Sequence, residues 1–163
     1  MLHLLGIDHK FQVVAFRPFV DDGLDEYNSR DLSCAFEQYL DRVLDRLTVT
    51  VIAEEYSHRQ LERMRLTDPA IYSVAERACE RRSLSAYVPF DLDQDERDNL
   101  YAAHNTTEAE DRKKGCPILE AEWIRQLTPY FSADSLLCIC GANYIDSLLV
   151  KFNIASVDAS VLV

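Results

Sequence analysis

Glycine is scarce in this chain, with four in 163 residues, and none fall into G-x-G-x-x-G or G-x-x-x-x-G-K-[ST]. Phosphate-cradling loops need glycine where backbone approaches the anion, so nucleotide binding through such loops is not expected. G-x-S-x-G, H-E-x-x-H and C-x-x-C are missing as well, which removes the signatures of serine hydrolases, zincins and thioredoxin-like redox centres. No apolar run approaches the length that crosses a bilayer. The first residues lack a basic n-region and a small-residue cleavage site, so a secretory signal is not expected. The five cysteines, Cys34, Cys79, Cys116, Cys138 and Cys140, are odd in number and lack disulfide-framework spacing. They read as reduced thiols, which sets the expectation of a reducing, cytoplasmic compartment.

Positive charge is also in short supply. Lys and Arg number 17 against 28 Asp and Glu, for a net charge of −11. Such a mean field repels polyanions, so nucleic acid and anionic membrane are disfavoured as partners, and a small-molecule or peptide ligand is the class left. One stretch runs against the trend: Arg59 to Arg82 carries six arginines against Glu62, Asp68, Glu76 and Glu80. Arginines at helical spacing usually lie opposite a core stripe, so this stretch reads as two solvated helix faces.

What is present is enough apolar material for one core, 48% of a chain too short for two independent domains. A single domain over residues 1–163 is expected. Strand-like apolar runs lie at Leu4–Ile7, Val49–Ala53, Leu84–Phe90, Leu136–Cys140 and Val157–Val163, with helical patterns between them. The first pattern, Asp31–Leu47, puts Leu32, Phe36, Leu40, Val43, Leu44 and Leu47 on one stripe. A second helix is predicted from Asp68-Pro69, carrying Ile71, Val74, Ala75 and Ala78 inward. A third follows Cys116-Pro117 with Ile118, Ala121, Trp123, Ile124 and Leu127, and a short fourth covers Tyr144–Phe152. Strands apolar nearly throughout and alternating with helices predict an α/β three-layer sandwich, with a mostly parallel sheet of about five strands and helices on both faces. Residues 17–30, rich in acidic residues, read as a long loop, and 93–114 as a charged, partly helical excursion. His3 reads as a surface or edge-strand residue, His104 as a loop residue, and Cys138 and Cys140 as core.

Ligands of open α/β sheets bind beyond the carboxyl ends of the strands. Four polar sets fall there: Gly6-Ile7-Asp8-His9-Lys10, Glu54-Glu55-Tyr56-Ser57-His58, Asp91-Leu92-Asp93 and Gly141-Ala142-Asn143-Tyr144. Together they suggest one metal or acid/base site. His9, Glu54 and Asp91 are the candidate ligands of a divalent cation, Zn²⁺, Mn²⁺ or Mg²⁺, which lowers the pKa of a bound water. Glu54 or Glu55 is the candidate general base, and Tyr144 the group that orients substrate or supplies a phenolic proton.

The same residues resemble the TraB, ChaN and erythromycin-esterase-like group, which includes the Tiki metalloproteases. Gly6-Ile7-Asp8-His9 matches its first G-x-x-H, Ile52-Ala53-Glu54-Glu55 its glutamate-bearing strand, and Gly141-Ala142-Asn143-Tyr144 its second G-x-x-H with tyrosine in place of histidine. Ile118 to Ile124 is similar to an I-R-E-x-E-W helix of small uncharacterised bacterial proteins of this layout, with Leu119 at the arginine and Glu120 facing either the site or solvent. The resemblance implies a metal-dependent hydrolase, and Tyr144 departs from it at the metal site. Three readings follow: a small metal-dependent hydrolase-like domain; an Mg²⁺ phosphoesterase or nuclease built on Asp8, Glu54, Glu55, Asp91 and Asp93; and a non-catalytic binding or regulatory domain with a degenerate site.

Overall fold

A computed structural model describes residues 1–8, 13–14, 26–132, 135–154 and 159–162 of the chain. In chain order its elements are β1 (Leu2–Ile7), β2 (Val13–Val14), α1 (Glu26–Arg46), β3 (Val51–Ser57), α2 (His58–Thr67), β4 (Tyr72–Ser73), α3 (Val74–Arg81) and β5 (Ala86–Asp91). They continue with α4 (Gln94–Ala103), α5 (Glu108–Lys113), α6 (Pro117–Leu127), β6 (Leu136–Gly141), α7 (Ile145–Ile154) and β7 (Ala159–Leu162). Five strands form one parallel sheet in the order β5-β3-β6-β1-β7, while β2 and β4 make a separate antiparallel pair. This is the predicted three-layer α/β sandwich.

The alternation of side chains along a strand sorts the core into two halves. On one face Leu5, Ile52, Leu137 and Ile139 pack beneath α1 and α3, which contribute Phe36, Leu40, Leu44, Val74, Ala75 and Ala78. On the other, Leu4, Ala53, Val88, Phe90, Cys138 and Cys140 pack beneath α6 and α7, which contribute Trp123, Leu127, Leu148 and Phe152. Each Leu or Phe buried in this way contributes roughly 1.5–3 kcal/mol of transfer free energy. Cys138 and Cys140 are core residues, as their period-2 spacing predicts. The interior strands β3 and β6 are covered on both sides, which is why Val51–Ala53 and Leu136–Cys140 read as continuous apolar runs.

Some local expectations are corrected. Asp68 does not open a helix; it caps the end of α2, its side chain accepts the Ala70 N–H at 3.0 Å, and α3 starts after Ser73 instead. The reason is a better N-cap five residues on: Ser73 accepts the Glu76 N–H, the serine-to-glutamate spacing of a helix start. His3 is buried in an interior strand, with its Nδ1 2.9 Å from Ser160 Oγ across the β1–β7 pairing. In α6 the buried stripe is Leu119, Glu120, Trp123 and Leu127, while Ala121 faces solvent. Glu120 meets Lys151 Nζ at 2.7 Å and Ser147, so it ties α6 to α7 rather than facing a site or water. The excursion 93–114 is largely helical, as α4 and α5; of the loop 17–30, residues 17–25 lie outside the described residues and 26–30 open α1.

Candidate functional site

Glu54 and Glu55 are consecutive in β3 and therefore project to opposite faces of the sheet. Glu54, fully buried, lies in the α1/α3 half. Its Oε2 accepts Ser73 Oγ at 2.6 Å and Tyr87 OH at 2.5 Å, so one carboxylate gathers β3, the start of α3 and β5. Burial, followed by the Glu54 charge, pushes the Tyr56 phenol to about 12 and raises Tyr87 further still. Tyr87 is thereby held as a proton donor to Glu54, while the Tyr56 hydroxyl donates to Met64 Sδ at 3.3 Å.

Glu55 turns to the α6/α7 half. Its Oε2 accepts the backbone N–H of Gly141 at 2.6 Å, which fixes the end of β6 and the short turn Ala142–Tyr144 that follows. Tyr144 stands edge-on to Trp123 with ring centroids 4.9 Å apart. Burial first, then the Glu55 charge and the Cys116 thiol, raise its phenol above the ordinary value. Gly6 makes this corner possible: a Cβ there would come within 2.8 Å of Ile145 and 3.0 Å of the Ala142 Cα. That is the physical need for glycine at position 6.

At the end of β5, Asp91 accepts the indole N–H of Trp123 at 3.1 Å and pairs with Arg97, which also meets Glu108 at 3.2 Å. Asp93 caps α4 in a reciprocal capping box with Glu96 and faces Arg59 at 3.4 Å and Arg63 at 3.8 Å. The backbone hydrogen bond from Glu96, with help from both arginines, holds its carboxyl below the ordinary carboxylate range. A β-bulge separates these ends: Glu54 pairs with Pro89, yet Ser57 pairs with Asp91, so β3 spends one more residue than β5 over the same span.

Of the residues expected to share one site, Glu55 and Tyr144 come together, while Glu54 and Asp91 are held by donors in different layers. His9 lies outside the described residues. The expected ligand pair Glu54 and Asp91 does not converge, and among the described residues no group of three His, Cys, Asp or Glu is placed to hold a metal ion. His58 is an exposed helix residue 3.2 Å from Glu62, and His104 ends α4 at the surface. Ser73, Tyr87, Arg97 and Trp123 hold the acidic side chains in place and were not expected to. Only Ser73 had a readable signal, its spacing to Glu76.

The carboxyl edge also holds a cavity of about 400 Å³ on the α1 side of β1, lined by Gly6, Ile7, Asp8, Phe36, Tyr39 and Ala142. The basic stretch is mostly neutralised by neighbours: Arg65 pairs with Glu76, Arg81 with Glu37 and Asp41, and Arg82 with Asp41 and Asp45. Compared with family models, curated proteins and solved structures, the chain gives no match.

Proposed function

We propose that this chain is a non-catalytic binding domain, with its ligand cavity at the carboxyl end of β1. The observation that carries this reading is the dispersal of the acidic set: Glu54 and Asp91 are each engaged by two protein donors, in separate halves of the core. Residues that a hydrolase would spend on metal and water are spent here on joining elements. The cavity beside β1 is mostly apolar, with Tyr39 and Asp8 the polar residues of its lining, which suits a small, largely apolar molecule. The net charge of −11 and the ion-paired arginines weigh against nucleic acid. Unbridged thiols fit a reducing, cytoplasmic setting, and no helix among the described residues is long and apolar enough to cross a membrane.

Ligand-observed NMR with small phenols and indoles tests this directly. Binders are expected, and Phe36→Trp, which fills the cavity, should displace them. A panel of ester, phosphoester and peptide substrates, each with added Zn²⁺, Mn²⁺ or Mg²⁺, should show no turnover.

A second reading, a hydrolase-like domain, is favoured by one observation, the convergence of Glu55 and Tyr144 at the end of β6. There Glu55 would accept a proton from water and the Tyr144 phenol would donate one to the leaving group. Turnover that disappears in both Glu55→Gln and Tyr144→Phe would install this reading in place of the first.

A further inference from the structure

A second cavity, of about 450 Å³, lies away from the strand ends between the end of α2 and the first turns of α3. One of its walls is internally neutral: Arg65 pairs with Glu76, and its Nε donates to the Ile71 carbonyl at 3.2 Å. Another is the turn Pro69-Ala70-Ile71, braced by Asp68, which accepts the Ala70 N–H through its side chain and the Ile71 N–H, at 3.1 Å, through its carbonyl. Two further charges stand on the lining, of which Glu80 also acts electrostatically on Arg65. Arg77 lies with its guanidinium carbon 4.2 Å from the centroid of the Tyr72 ring, and Glu80 follows one turn later on the same exposed side of α3. Residues three apart on a helix are neighbours, but a cation that precedes the anion is the weaker order for a pair. Stacking on Tyr72 draws the guanidinium aside, and neither Arg77 nor Glu80 makes an ion pair among the described residues.

We propose that this cavity binds a free α-amino acid with an apolar side chain. Its carboxylate would meet the Arg77 guanidinium, its ammonium would meet Glu80, and its side chain would cover Pro69 and Ile71. A simple anion is disfavoured by Glu80 and a simple cation by Arg77, so a short zwitterion is the ligand class that satisfies both. The volume lies in the range of small-molecule sites and exceeds what one such ligand needs.

The test is an amide NMR titration of the intact chain with L-leucine, isocaproate, which lacks the ammonium, and isoamylamine, which lacks the carboxylate. Saturable shifts at Tyr72, Arg77 and Glu80 are expected with L-leucine, at a dissociation constant on the order of 1 mM. Either analogue should bind about tenfold more weakly or worse, as should L-leucine to Arg77→Gln or Glu80→Gln. Both substitutions are at exposed positions, so the fold survives them. Absence of saturable shifts with L-leucine, equal binding of an analogue, or undiminished binding by Arg77→Gln would each overturn the proposal. The cavity beside β1 is a separate site, so this outcome leaves the reading proposed above untouched.

Discussion

Glu54 and Glu55 share a peptide bond and little else. Glu54 is a hub, where two hydroxyl donors, from the Ser73 cap of α3 and from β5, converge on one oxygen in the α1/α3 half of the core. Glu55 instead pins the backbone of a turn, through the Gly141 N–H, in the α6/α7 half. In a strand, adjacent residues face different layers, so an acidic pair in sequence is two separate features in space. The same division extends to Asp91, whose partners Trp123 and Arg97 belong to the α6/α7 side. Paired carboxylates for catalysis must share a pocket, and here Glu54 and Asp91 are held by donors from different halves of the core.

The two halves can be separated by mutation. The largest effect is expected at Trp123→Ala, which empties a fully buried indole site and leaves Asp91 without its N–H donor. Chemical denaturation should show a loss of about 3–5 kcal/mol. Next comes Lys151→Met, which strands buried Glu120 between α6 and α7 and should cost about 3 kcal/mol. Tyr87→Phe removes one donor from the Glu54 hub and is expected to cost about 1–2 kcal/mol without disturbing the Tyr144 corner, as amide shifts there would report.

The smallest effect concerns pH. Folding holds Asp93 below its ordinary value, so its contribution is present above the ordinary carboxylate range and is lost as pH falls through the lowered value. From about pH 4 downward, the wild-type chain should therefore lose stability more steeply than Asp93→Asn, measured as Tm against pH.

Much of the fold was legible in the sequence because burial on both faces leaves a plain mark. Leu136–Cys140 of β6 and Val51–Ala53 at the start of β3 are apolar without a break, and the Phe36, Leu40, Leu44 stripe repeats at helical spacing. The start of α3 was misjudged because Asp68-Pro69 and Ser73 both carry helix-start chemistry, and which one acts depends on tertiary partners such as Glu54. Glu54, Glu55, Asp91 and Tyr144 do lie at or next to the carboxyl ends of strands, as the apolar runs predict. Proximity to strand ends could not tell which face each one takes, because a bulge between Glu54 and Ser57 changes the pairing and because Trp123 and Arg97 come from distant helices. Partners that are remote in sequence leave no local pattern.

The central claim is that the acidic residues at the strand ends do not form one site, and a double-mutant cycle on stability tests it most directly. Among the described residues, Glu54 and Asp91 share no hydrogen-bonding partner, and the paired substitutions are Glu54→Gln and Asp91→Asn. Their effects are predicted to add to within about 0.5 kcal/mol. A coupling energy well above about 1 kcal/mol would place both carboxylates in one electrostatic site and contradict the account.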